Sequence, residues 1–230
     1  MTGVHFRRQT QDHVTREFGN VTTMAERLRK AGYRTLATGK WHLPGKPTEH
    51  GFDRFFGLRG GASNHFDPTG RLELDPDLYL NRELLLDGEP YTVENGDFYT
   101  TKAFTDYALR FLEETAPDEP FFLYLAYTAP HWPLQAPEEA IEKYLGRYDA
   151  GWESLRKERY ENMRDSDFLP ADWPLPEPAE DAPSWEEADN PRDAARAMAV
   201  HAAMVDYMDQ QIGRVLDFLE QEGRIENTLI

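Results

Sequence analysis

An unbroken apolar run, Phe121-Phe122-Leu123-Tyr124-Leu125-Ala126-Tyr127, leaves few choices for the chain that contains it. The run is too short for a buried helix and lacks the alternation of a strand with one wet face. It therefore reads as a strand covered on both faces, in a parallel sheet, and is placed at the sheet's centre. Parallel neighbours require long crossovers, usually helices, so the expected class is α/β with helices flanking a mostly parallel sheet. Directly after the run stand Thr128-Ala129-Pro130-His131-Trp132-Pro133. A histidine thus emerges at a strand's carboxyl end, between prolines that fix the loop.

A second strand end has the same character. Gly32 stops a helix, Tyr33 to Thr38 are β-formers and small residues, Gly39 lets the backbone turn, and Lys40-Trp41-His42 follow. In open α/β sheets ligands bind at the carboxyl ends of strands, so Lys40, His42 and His131 are expected to share one crevice. The residues alone also allow a blander arrangement, with a snorkelling lysine and histidines held for packing.

The remaining segments supply the layers. Thr23-Met24-Ala25-Glu26 is a capping-box pattern opening a short helix with Met24 and Leu28 on its apolar side. Residues 1–20 read as loop, and Asn20-Val21-Thr22 fits a glycosylation sequon. A long irregular region follows His42 as far as Gly60-Gly61-Ala62-Ser63-Asn64-His65-Phe66. There Asn64 and His65 either contact substrate or serve as turn chemistry with an exposed histidine. A hairpin is expected over residues 84–94 around Asp87-Gly88, and a helix over 98–115 carrying Phe104, Ala108, Phe111 and Leu112. Short helices are expected over 137–145 and 151–164, then a Pro- and acid-rich surface excursion at about 165–191. The longest helix should span 192–222 with Met198, Ala202, Val205, Ile212, Leu216 and Leu219 inward, and a new strand should begin at Asn227.

Charge narrows the partners. With 42 acidic and 25 basic residues the chain carries −17, which argues against a nucleic-acid or anionic-membrane surface. An anionic substrate would need a local cationic pocket set against that field. No segment approaches the length of a membrane span, and with no cysteine there are no disulfides.

Gly32-Tyr33-Arg34-Thr35-Leu36-Ala37-Thr38-Gly39-Lys40-Trp41-His42, followed by Glu49-His50-Gly51-Phe52-Asp53, resembles the second signature of the type I sulfatases, relatives of alkaline phosphatase. Tyr127 to Pro137 resembles the arylsulfatase segment with a sulfate-contacting histidine. Ala203 to Arg214 is similar to the family helix before its last core strand. The resemblance implies an alkaline phosphatase-like fold and hydrolysis of sulfate esters, on a small-molecule or glycan substrate. Carried over by residue, Lys40 would bind the sulfate and the nucleophile's oxygen, and His42 would hold or deprotonate that nucleophile. His131 would contact the sulfate or assist the leaving alcohol, and His65 is the further substrate-binding candidate.

The family also implies a calcium ion held by Asp and Asn, and a formylglycine nucleophile made from Cys or Ser in a Cys/Ser-x-Pro-x-Arg motif. This sequence has neither the motif nor an adjacent Asp pair, and Asp189-Asn190 reads as a turn before Pro191. The resemblance therefore casts residues 1–230 as the central part of a sulfatase catalytic domain, incomplete at both ends. No metal ligand is assigned, the nucleophile is absent, and the fragment alone is expected to be inactive. Two alternatives stand beside this reading: a phosphate or phosphonate monoester hydrolase of the same superfamily, and a non-catalytic anion-binding remnant. Oligomeric state and the ester's alcohol half are not encoded legibly. The family's frequent secretion makes a periplasmic or secreted setting the expectation.

Overall fold

Thr23 begins the ordered architecture as its residue types require. Its hydroxyl accepts the Glu26 N–H at 3.0 Å, and the Glu26 carboxylate accepts the Thr23 N–H at 2.7 Å, so two orphan donors of helix α1 (Met24–Lys30) are satisfied reciprocally. The computed structural model describes residues 21–61, 63–68, 83–93, 96–170 and 172–230. The readings of residues 1–20, of Asn20 in the sequon and of Glu94 at the hairpin's end lie outside them. In α1 the buried side chain is Ala25, while Met24 is 45% exposed, so the helix seats on its small residue and not on the expected methionine.

Five strands form one sheet among the described residues, in the order β4-β3-β2-β1-β5. They are β1 (Arg34–Lys40), β2 (Arg54–Leu58), β3 (Leu84–Leu86), β4 (Glu89–Pro90) and β5 (Phe121–Ala126). β1 pairs in parallel with β2 on one side and β5 on the other, and β3–β4 is the expected antiparallel hairpin. The α/β class with a mostly parallel core therefore stands. Two strand assignments change. The region after His42 is not irregular throughout: it holds β2, whose Phe55-Phe56-Gly57-Leu58 is buried. And β1, not β5, has strand neighbours on both sides. The apolar run of β5 encodes the two faces, not the edges: Phe121, Leu123, Leu125 and Tyr127 meet one core, while Phe122 and Tyr124 stack on Phe52 at 6.0 and 6.3 Å. Tyr124 remains 37% exposed.

Successive residues of each strand feed opposite faces. Leu36 and Phe56 join Phe104, Phe111 and Leu112 of α2 (Thr100–Glu113), while Ala37 and Phe55 join Ala25, Trp41 and Phe52. A polar clasp fixes where β1 and β2 begin. The Asp53 carboxylate accepts the Thr35 N–H at 2.9 Å and pairs with Arg29 at 3.0 Å, and Thr35 Oγ1 donates to the Gly51 carbonyl at 2.7 Å.

Two compact units emerge, residues 1–135 with 207–230, and residues 136–206. The second holds α3 (Glu138–Glu142), α4 (Gly151–Asp165) and the first half of α5 (Pro191–Gln221). Its Pro- and acid-rich stretch is tied back onto α4: Trp152 Nε1 donates to the Pro183 carbonyl at 3.0 Å, Tyr160 Oη to the Trp173 carbonyl at 2.5 Å, and Trp152 and Trp185 meet edge to face. Asn190 accepts the Asp193 N–H and so opens α5, which is the turn role expected of Asp189-Asn190. The inward face of α5 is rotated from the expectation. Ala195, Ala199, Val200, Ala203, Met204, Gln211, Val215 and Leu219 are buried, whereas Val205 is exposed. The buried face is drawn largely by small residues three and four apart, which a search for large apolar side chains passes over. Beyond α5 the expected strand at Asn227 does not appear: residues Ile225–Asn227 form a 3-10 turn, and residues 228–230 pair with no strand of the sheet.

Candidate active site

The carboxyl end of β1 is shaped by a close backbone approach. Gly39 has φ +104°, and a Cβ there would lie 1.9 Å from the Ala126 carbonyl oxygen of β5. Only glycine permits β1 to pass there and deliver the next residue, Lys40, half-buried at the strand's end. Burial lowers the Lys40 pKa from its usual value. Pairing continues one step further, with Trp41 N–H on the Leu58 carbonyl at 2.8 Å and His42 N–H on the Arg59 carbonyl at 3.0 Å. Trp41 is buried edge-on against Phe52 and anchors the turn. His42 then takes φ +51°, a left-handed conformation rare for a side chain of this size and common where function constrains the backbone. Its imidazole lies over Gly61, where a Cβ would fall 2.5 Å from the ring.

The loop after β5 comes to the same place. His131 N–H donates to the Thr128 carbonyl at 2.9 Å, and His131 Nδ1 lies 2.6 Å from the Trp132 carbonyl. A carbonyl only accepts, so Nδ1 carries the proton and Nε2 is left as the working nitrogen. Lys40, Gly61, Ser63, His65, Thr128 and His131 line one cavity of about 240 Å³. His42 is coupled to it electrostatically: its pKa is lowered by burial first, then by the positive charge of Lys40, then by His131. Three cationic or ionisable groups repel one another at this one point of a strongly acidic chain. That arrangement favours an anion, which would relieve the repulsion.

The sequence-derived set is thus brought together, Lys40, His131 and His65 in the cavity wall and His42 beside it over Gly61. His65 departs from the exposed-histidine expectation. It is 1% exposed, so it is no surface histidine, and both ring nitrogens face protein partners. Asn64 takes the turn role, accepting the N–H groups of Phe66 at 2.8 Å and Asp67 at 3.0 Å. Ser63 was not singled out from the sequence. It is 4% exposed, and its hydroxyl has no hydrogen-bond partner among the described residues, which makes it a donor available to the cavity. A serine beside Asn64 reads as turn chemistry, so no sequence signal separated it. Among the described residues no group of three His, Cys, Asp or Glu could hold a metal ion. The chain also has no cysteine. Among the described residues a calcium ion thus finds no such ligand group, and the sequence holds no Cys/Ser-x-Pro-x-Arg motif as a formylglycine precursor.

The family model for sulfatases matches residues 4–230. The chain belongs to the sulfatase family. An arylsulfatase of Klebsiella aerogenes is 38% identical over 219 residues, covering 91% of this chain and 46% of that protein. An uncharacterized sulfatase of Schizosaccharomyces pombe is 37% identical over 223 residues, 91% of this chain and 40% of that one. The sulfatase chain thus spans less than half the length of these two relatives. Among solved structures, Ps i-CgsB in complex with k-i-k-neocarrahexaose aligns with TM-score 0.57 at 22% identity, over 89% of this chain and 38% of that one. BT4656 in complex with D-glucosamine-2-N,6-O-disulfate aligns with TM-score 0.54 at 21% identity, over 94% and 50%. These structural likenesses establish the shared fold, an alkaline phosphatase-like α/β sheet.

Proposed function

We propose that this sulfatase chain contributes the cationic half of a site that hydrolyses sulfate esters in the whole protein. The observation that carries the reading is the convergence of Lys40, His42 and His131 on one cavity, with mutual charge repulsion and no carboxylate among the cavity's lining residues. The Lys40 ammonium and the Ser63 hydroxyl would donate to sulfuryl oxygens, and His131 would join them where its Nε2 carries a proton. As the S–O bond to the alcohol breaks, negative charge grows on the leaving oxygen, and fixed cations stabilise it without reorganising. His131, when its Nε2 carries a proton, can pass that proton to the leaving oxygen. His42, held neutral by its surroundings, is suited to accept a proton from the attacking group. The calcium ion and formylglycine of the family form part of the proposal for the whole protein only.

The substrate class we favour is a sulfated glycan or aryl alcohol. Its support is the likeness to the arylsulfatase of Klebsiella aerogenes and the sugars held by the two structural neighbours. Trp132, 52% exposed at the cavity's edge, offers an apolar plate for the flat face of such an alcohol. The test is turnover of an aryl sulfate by the whole protein. Lys40→Ala should lower kcat/KM by about 10²–10³-fold, the loss typical of removing one charge-stabilising donor. Equal or faster turnover of the matching phosphate ester would contradict the assignment.

A further inference from the structure

Behind the cavity wall three segments meet on one buried imidazole. His65 comes from the loop after β2, Thr100 from the first turn of α2, and Thr128 and His131 from the loop after β5. His65 Nε2 donates to the His131 carbonyl at 3.3 Å, and Nδ1 faces the Thr100 hydroxyl at 2.9 Å and the Thr128 hydroxyl at 3.3 Å. The backbone on either side is tied in the same sense: His65 N–H donates to Gln135 Oε1 at 2.8 Å, and Thr100 N–H to the His65 carbonyl at 2.8 Å. The Tyr99 hydroxyl donates to the Gln135 carbonyl at 2.9 Å.

This geometry leaves His65 no free nitrogen to offer a substrate. The carbonyl of His131 can only accept, so His65 must carry its proton on Nε2, and Nδ1 must accept from a threonine hydroxyl. In the neutral ring one tautomer satisfies every contact, with a threonine hydroxyl donating to Nδ1. We infer that His65 is a positioning residue: its neutral imidazole fixes the backbone of His131 and so aims His131 Nε2 into the cavity, acting on the reaction without touching the substrate. The inference rests on the sulfate-ester reading for its effect on catalysis, and on the geometry alone for its effect on His131.

The design makes chemical sense. His131 is exposed, and among the described residues its side chain makes one hydrogen bond, to its neighbour's carbonyl, so its placement depends on its backbone. A misplacement of about 1 Å in a reacting group can cost about 10²-fold in rate, which is the scale of effect a brace of this kind protects.

The test uses the whole protein with His65→Ala, His65→Gln and Thr100→Val, each assayed for kcat and KM on an aryl sulfate. A glutamine amide spaces a donor and an acceptor as the imidazole does, so it can replace the brace. The expected result is a fall in kcat of at least about 30-fold for His65→Ala with KM within about threefold. His65→Gln should return to within about fivefold of wild type, and Thr100→Val should lie between the two. The inference is overturned by unchanged kcat in His65→Ala, by a rise in KM alone, which would make His65 a substrate ligand, or by glutamine rescuing nothing. Should His65→Ala fail to fold, the ordering of His65→Gln above Thr100→Val decides in the same way. If the wild-type protein hydrolyses no sulfate ester, the functional reading fails separately, and crystal structures of the variants decide the brace. A His131 loop displaced in Thr100→Val or His65→Ala and restored in His65→Gln upholds it, and an unmoved loop overturns it.

Discussion

His42 shows most directly how single residues were set for function. Its backbone is left-handed, its ring lies over Gly61, and its basicity is lowered by burial and then by Lys40. Lys40→Met removes the second of those causes, so the His42 pKa should rise part of the way toward its ordinary value, read from the ring proton shifts across pH. No change would show that the two side chains do not face one another. Gly61→Val should push the His42 ring out of place, because a Cβ already meets it at 2.5 Å. The expected cost is about 10²-fold in kcat with modest loss of stability, measured by kinetics beside thermal unfolding. Lys40, His42 and His131 were legible because each follows a strand end that the sequence marks. Ser63 and the burial of His65 were not, since both depend on a partner or its absence thirty or more residues away.

Elements were legible where pattern and environment coincide. The Thr23 capping box, the Asp87-Gly88 hairpin and helix α2 formed as their residues require. The errors share one cause: a side-chain pattern reports which faces are covered, not which strand lies beside which. Hence β5 reads as central although it is an edge strand of the described sheet, and β2 hides because Gly57 breaks its apolar run within a Gly- and Asp-rich stretch. On α5, alanines rather than the larger Met198 and Leu216 define the buried face. The pinch at the end of β1 gives a sharp element-level expectation. Gly39→Ala places a methyl group against the Ala126 carbonyl, so β1 and β5 must separate where Lys40 is delivered. Stability should fall by more than about 2 kcal/mol in urea unfolding, a loss of the overpacking class. An effect under about 0.5 kcal/mol, the range of ordinary surface substitutions, would mean the strands pass less closely than described.

At the scale of the whole molecule, two histidines among the described residues resist protonation. His42 and His65 both have lowered pKa values, in each case through burial first. The unfolded chain binds these protons near the ordinary value of 6.5, while the folded chain does so only at lower pH. Stability is therefore full above that value and declines as pH falls through 6.5 toward the folded values. The urea midpoint should drop over that interval, and His65→Gln should flatten the drop. The same charge arrangement sets a cationic pocket in a chain of −17, and the proposed sulfate-ester chemistry depends on this pocket binding an anion. Titration of the histidine-labelled protein with sodium sulfate, followed by NMR, tests that claim most directly. The expected result is saturable movement of His42 and His131 together, a rise in the His42 pKa, and at least about tenfold weaker binding in Lys40→Met, the worth of one charge-assisted contact. Shifts that do not saturate, or that survive Lys40→Met unchanged, would contradict it.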